Sequence, residues 1–238
     1  MEIRKKLVDP SKYGIKCPYT MNPEFITVHN TYNDATAENE VSYMIRNDNQ
    51  VSFHIAVDDK EAVQGIPLER NAWHTGDGNG NGNRKSIGVE ICYSLSGGDR
   101  YYKAEDNAAI VVAQLMKQYN IPISKVRTHQ SWSGKYCPHR MLDEGRWNSF
   151  IERVQNAYNG GGNNMKWTMK SGGLGVNLAQ EIMDKLAEFK VKGNLVYEAD
   201  GIFYLQCEPV DDRNKLGAIT WYFKDYKGWY CEVYQVQA

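Results

Sequence analysis

The sequence predicts an α/β fold: a mixed central β-sheet flanked by helices, joined to a second, small α+β domain. Two observations carry that expectation. Over residues 1–158, apolar runs of period two alternate with runs of helical spacing, the succession of a sheet with helices packed on it. At 159–164 the chain reads NGGGNN, which has no side chain able to anchor it and the composition of a flexible linker. The expected organisation is a first domain over 1–158, a linker over 159–164 and a second domain over 165–238.

Segments at 25–30 (FITVHN), 51–57 (VSFHIAV), 61–66 (EAVQGI), 86–94 (SIGVEICYS) and 125–129 (KVRTH) read as strands, because alternate side chains of a strand face opposite sides. Helical spacing puts Ala37, Val41, Met44 and Ile45 on one stripe and Ala108, Val112, Leu115, Met116 and Tyr119 on a second. Trp147, Phe150, Ile151 and Val154 form a third. Asn120, ahead of Ile121-Pro122, supplies a left-handed stop to the second helix. The stretch THQSWSGKYCPHRML at 128–142 is too rich in Gly, Pro and Ser to read as helix.

After the linker, MKWTMK reads as a strand, and a helix follows with Leu178, Ile182, Leu186 and Phe189 on one face. Asn177 is its expected N-cap and Gly193 lies beyond its end. LVYEADGIFYLQC reads as a hairpin turned at Asp200-Gly201. A helix starting near Asp211 or Asp212 carries Leu216, Ile219 and Phe223, and WYCEVYQV closes as a strand. The expected order is β-α-β-β-α-β.

Composition narrows the function. At 238 residues, 42% hydrophobic and 24% charged, the chain is an ordinary globular sequence. Its longest apolar run, AAIVVA at 108–113, is far below the roughly 18 residues of a membrane span. MEIRKKLVDP lacks the apolar core of a secretory signal, so none is expected. Residues 1–158 carry 19 Lys+Arg against 19 Asp+Glu, and residues 165–238 carry 9 against 10, which gives no footprint for a nucleic-acid partner. The five cysteines are odd in number and lack CxxC spacing, which excludes a disulfide framework or zinc ribbon. Cys92, Cys207 and Cys231 read as packed small apolar residues, and Cys17 has no assigned role.

The chemistry concentrates in few residues. His29 and His129 lie at the ends of strand segments, and Cys137 follows eight positions after His129. Two imidazoles and a thiolate are three zinc ligands, and three with an open fourth position is the catalytic pattern. Zinc in such a site lowers the pKa of water to roughly 7. Lys135, two residues before Cys137, is placed to stabilise an oxyanion. Glu90 faces away from Ile87, Val89 and Ile91 and is placed to move a proton. Amide hydrolysis needs an activated water, a polarised carbonyl and a proton for the departing amine, and these groups offer all three. Alternatives stay open on residue chemistry alone. His139, two residues from Cys137, competes with His129 as a ligand, and His54 reads as a hydrogen-bonded core or cleft-wall histidine. DGNGNGN at 77–83 starts like a calcium loop, but its twelfth position is Gly88 rather than glutamate, so it reads as a mobile loop beside the cleft.

HNTYN at 29–33, VSFHIAV at 51–57, NAWHTG at 71–76, SIGVEI at 86–91, RTHQSW at 127–132 and GKYCPHRML at 134–142 occur in an order and spacing with a known counterpart. They resemble the zinc N-acetylmuramoyl-L-alanine amidases related to peptidoglycan-recognition proteins, over nearly all of residues 1–158. The resemblance implies cleavage of the amide between the lactyl group of N-acetylmuramic acid and L-alanine. It implies Zn2+ as cofactor, held by His29, His129 and Cys137, with Glu90 as acid/base and Lys135 beside the last ligand. Trp73, His74 and His54 are its expected substrate-cleft residues. Peptidoglycan is the implied partner, with a secondary wall polymer as a further candidate and no protein partner. A phage endolysin of this kind waits in the host cytoplasm and acts on the wall after release. The second domain is similar, at the level of fold, to small wall-binding modules. Its aromatics Tyr222, Phe223, Tyr226, Trp229, Tyr230 and Tyr234 read as packing, with any exposed ones available as a sugar platform. Two alternatives remain: a non-catalytic peptidoglycan binder on the same scaffold, and a second domain that regulates the first or holds subunits together.

Overall fold

A computed structural model of the chain describes residues 1–160, 165–198 and 201–237. Residues 161–164 of the expected linker and Asp200 of the expected hairpin turn lie outside them. The chain divides into two compact units, Met1–Asn163 and Asn164–Ala238.

The first unit contains β1 (Ile3–Lys5), α1 (Tyr13–Lys16), β2 (Phe25–Asn30), α2 (Ala37–Arg46), β3 (Ile55–Val57), β4 (Ala62–Gln64), α3 (Asn81–Lys85) and β5 (Ser86–Ile91). It continues with α4 (Gly98–Tyr119), β6 (Val126–Thr128), α5 (Gln130–Ser133), α6 (His139–Asp143) and α7 (Trp147–Tyr158). The six strands lie in the order β1-β4-β3-β5-β2-β6. β3 and β4 pair antiparallel and the other neighbours pair parallel, so the sheet is mixed.

Period two in the central strands separates a core face from a chemical face. β2 and β5 pair with Ile26 opposite Ile87, Val28 opposite Val89 and His29 opposite Glu90. Ile26, Val28, Ile87, Val89 and Ile91 are fully buried and join side chains of α2, α4 and α7 in one core. Each such side chain contributes about 1.5–3 kcal/mol by leaving water. The alternate residues Thr27, His29, Ser86, Gly88 and Glu90 therefore share the other face. The Thr27 and Ser86 hydroxyls bond at 2.6 Å, and the Trp132 indole N–H donates to Thr27 at 2.9 Å.

The long helix ends as expected: Asn120 is left-handed at φ 53°, and its N–H reaches the Met116 carbonyl. A buried charge cluster that hydrophobic spacing does not reveal joins α4 to α7. Arg153 pairs with Glu105 and Asp106, and Arg146 pairs with Glu105 at 2.8 Å.

Several expectations need correction. The strands are shorter than their apolar runs, with residues 51–54 and 92–94 outside β3 and β5. The 128–142 stretch is partly helical, because local caps make single turns where propensity is poor. Thr128 Oγ1 accepts from the Ser131 N–H at the start of α5, and Gly134, at φ 80°, closes it. DGNGNGN is tied down rather than mobile. Asp77 Oδ2 accepts from the Gly82 N–H at 2.7 Å, and Oδ1 accepts from the Asn83 N–H and the Thr75 hydroxyl. Both carboxylate oxygens are thus spent on protein donors, and the segment leads directly into α3.

The second unit contains β7 (Met165–Ser171), β8 (Leu174–Gly175), α8 (Ala179–Glu188), β9 (Gly193–Tyr197), β10 (Ile202–Cys207), α9 (Gly217–Trp221) and β11 (Cys231–Gln237). Its pairings are antiparallel, with β7 between β11 and β10 and β9 on β10. The two-residue β8 is an addition to the expected order and pairs with the start of β10. Asn177 sits inside a 3-10 turn, Val176–Leu178, and does not cap α8. Asp212 caps the turn that leads into α9, accepting from the Asn214 N–H at 2.9 Å. Met169, Ile182, Leu186, Phe203, Leu205, Leu216, Ile219 and Phe223 form this unit's core. Among the described residues, no helix is long and apolar enough to cross a membrane.

Candidate metal centre

His29 comes from β2, His129 from the junction of β6 and α5, and Cys137 from the loop before α6. Their ligand atoms lie within 4.8 Å of one another and all three residues are buried. His29 Nδ1 is 3.1 Å from His129 Nδ1 and 3.8 Å from Cys137 Sγ. His139, the competing candidate, is outside the group and packs its ring 4.8 Å from that of Tyr32.

A hydrogen-bond relay fixes which nitrogen of His29 is free. His74 Nε2 lies 3.2 Å from the Ser86 carbonyl, which only accepts, so that nitrogen carries the proton. His74 Nδ1 is therefore an acceptor and takes the His29 Nε2–H at 2.9 Å. His29 Nδ1 is left with a lone pair directed at His129 and Cys137. The residues fit zinc. Tetrahedral bonds of about 2.0–2.3 Å separate ligand atoms by roughly 3.3–3.6 Å, close to the 3.1 and 3.8 Å spacings from His29 Nδ1, and two imidazoles with a thiol are a zinc donor set. The Nε2 atom of His129 is buried without a hydrogen-bond partner.

Electrostatics favour neutral imidazoles. Burial holds His29 well below the usual histidine range, and the neighbouring His74, His129 and Lys135 act in the same direction. Burial, then Lys135, lowers His129. Burial pushes the Cys137 thiol up to about 12, with Glu90 adding to the rise. Glu90 stands beside His29 in the strand register, and its Oε2 is sealed from solvent with no hydrogen bond. Burial and the charge of Glu40 raise it to about 8, against the pull of Lys135. Lys135 is exposed, yet its charge acts on His29, His129, Cys137 and Glu90, so the structure brings it to the centre.

Two expected cleft residues turn inward. His54 is fully buried; its Nδ1 accepts from the Gly88 N–H at 2.9 Å and its Nε2 donates to the Arg70 carbonyl at 2.9 Å. With both nitrogens committed and its pKa lowered by burial to about 4, it is a structural group. His74 likewise spends both nitrogens inside the protein, as the orienting partner of His29. Gly88 lies against the His74 ring, and a Cβ there would stand 2.8 Å from His74 Nδ1. Trp73 is half-buried and meets the Tyr19 ring edge-on at 6.2 Å. No feature of spacing in the sequence marks the Ser86–His74–His29 relay; the segment NAWHTG does mark its middle member.

The family model for N-acetylmuramoyl-L-alanine amidase matches residues 19–140, more than half of the chain. The chain belongs to this family. N-acetylmuramoyl-L-alanine amidase XlyB of Bacillus subtilis (strain 168) is 60% identical over 160 residues, 67% of this chain and 50% of that relative. Among solved structures, PlyL is similar at 78% identity and TM-score 0.64, over 65% of this chain and 97% of that one. The PlyG catalytic domain is similar at 80% identity and TM-score 0.65, over 66% of this chain and 96% of that one. The chain spans 50%, 62% and 54% of the lengths of three curated amidases it matches. The motifs that place this amidase-family domain in the sequence are those that build the centre.

Proposed function

We propose that the chain is a zinc-dependent N-acetylmuramoyl-L-alanine amidase of the endolysin type, hydrolysing the amide between the lactyl group of N-acetylmuramic acid and the L-alanine of the stem peptide. The relay that presents His29 Nδ1 beside His129 and Cys137 carries this reading. When bound, zinc supplies the Lewis acidity that makes water a nucleophile near neutral pH. Glu90 in its ionised form takes the proton from the attacking water and hands it to the departing amine; a pKa raised to about 8 makes that carboxylate a stronger base than a free one and its acid form a donor near neutral pH. Lys135 faces the negative charge that develops on the carbonyl oxygen. Trp73 lines the cleft through the exposed part of its ring.

In this proposal residues 1–158 are the catalytic domain, 159–164 the linker and 165–238 a module that docks on the bacterial wall, at peptidoglycan or a secondary polymer. Tethering raises the concentration of the catalyst at an insoluble substrate. The enzyme acts on the wall after release from the host cytoplasm. Mass analysis of digested walls tests the chemistry. Stem peptides with a free L-alanine amine should appear without new reducing sugar, whereas new reducing ends, or zinc loading with intact amides, would overturn it.

A further inference from the structure

The second unit carries a groove of about 240 Å³ along one side of α9. Arg213, Asn214, Gly217, Thr220, Trp221 and Asp225 line it. Trp221 is 53% exposed although it is the largest side chain of its helix. The backbone explains how it is presented. After α9 the chain widens into a π-helical turn, Tyr222–Tyr226. Residues five apart diverge by about 140° around an α-helix, whereas a π turn brings them onto one side. Trp221 and Tyr226 consequently lie with ring centroids 5.8 Å apart and planes 30° apart. Tyr222, buried behind them, stacks on Tyr226 at 5.5 Å and hydrogen-bonds to Glu181. An exposed aromatic surface is thus held rigid before any ligand arrives.

We propose that this groove binds a neutral saccharide unit of the wall, with Trp221 as the stacking platform. The proposal rests on the docking role assigned above to residues 165–238. A pyranose has an apolar C–H face and a rim of hydroxyl groups, and the groove supplies a complement to each. Trp221 offers the apolar plane, while Asn214 offers donors and an acceptor and Thr220, whose hydroxyl donates to Met169 Sδ, offers an acceptor. Arg213 and Asp225 balance in charge, so the groove has no preference for an anionic polymer. Gly217 leaves the space open: a Cβ there would meet nothing within 4 Å. Glycine in a helix costs about 1 kcal/mol relative to alanine, and no packing demand at this position accounts for it.

The test uses the full chain carrying Cys137→Ala, so that walls are not digested. Co-sedimentation is measured on sacculi stripped of secondary polymer with hydrofluoric acid, and capture is measured on the released polymer. Trp221→Ala and Gly217→Phe should each weaken binding by about tenfold or more, and Trp221→Phe should keep most of it, with unchanged unfolding midpoints. Weakening on stripped sacculi assigns the saccharide to the peptidoglycan backbone, and weakening on released polymer assigns it to the secondary glycan; either supports the groove. Variants that bind as well as the parent overturn the groove and leave docking intact. A parent chain that binds neither material overturns docking itself, and the groove with it.

Discussion

Replacing His74 by alanine separates the relay from the ligands, since His74 contributes no atom to the group of His29, His129 and Cys137. Two costs follow. The His29 Nε2–H loses its acceptor in a buried site, which destabilises the metal-free protein by about 1–3 kcal/mol. His29 also becomes free to carry its proton on Nδ1, the atom that faces the other ligands. Loss of an orienting partner of this kind weakens metal affinity by about 10–100-fold, or about 1.4–2.7 kcal/mol. Competition with a chelator of known affinity reads the second quantity, denaturant titration of the metal-free protein reads the first, and imidazole 15N spectra report the tautomer. Unchanged zinc affinity in His74→Ala, with His29 still protonated at Nε2, would refute the relay.

Other outcomes follow from the same groups. Because Cys137 is raised to about 12 and the histidines are lowered, zinc uptake at pH 7–8 should release at least one proton, that of the thiol, with any further release coming from bound water; calorimetry in buffers of different ionisation enthalpy measures it, and zero release would exclude Cys137. Glu90→Gln should lower turnover by about 10²–10⁴-fold while zinc content stays unchanged. Glu90 is raised from 4.5 to about 8 on folding, so between those values the unfolded chain has lost a proton that the folded one retains, and stability falls as pH rises. Metal-free Glu90→Gln should therefore melt higher than the parent at pH 9, with the gap closing near pH 4; a gap independent of pH contradicts the burial of this carboxyl. Arg153→Ala strands Asp106 and leaves Glu105 with Arg146 alone in the α4–α7 interface, and should cost about 3–5 kcal/mol in urea unfolding; a loss below about 1 kcal/mol would mean that the cluster relaxes into water.

The legible parts of the molecule are those written in local periodicity. The alternation of Ile26 and Val28 with Thr27 and His29 gives both the strand and its two faces, and β5 repeats it with Glu90 on the chemical side. The grouping of His29, His129 and Cys137 was accessible because few residue types bind metals and each stands near the end of an element. The roles of His54 and His74 were not accessible. A histidine in a cleft and a histidine buried beneath one have the same letters, and only the Ser86, Arg70 and Gly88 backbone groups distinguish them. The single turns of α5 and α6 were missed for a related reason. For α5, Thr128 Oγ1 at its start and left-handed Gly134 at its end offset the low propensity of its two serines, and α6 begins directly after Pro138, whose fixed φ suits a helix start. Arg153 escaped notice because a charged residue at helical spacing reads as solvated unless its partners are known.

Position 88 has a consequence beyond packing. Strand β5 donates no atom to the group of His29, His129 and Cys137, yet its glycine lies against the His74 ring, and that ring steers His29. Even a methyl group there would push the steering ring toward the ligands, so the centre is vulnerable from underneath, at a residue without chemistry of its own. Engineering of this site has no latitude at its floor.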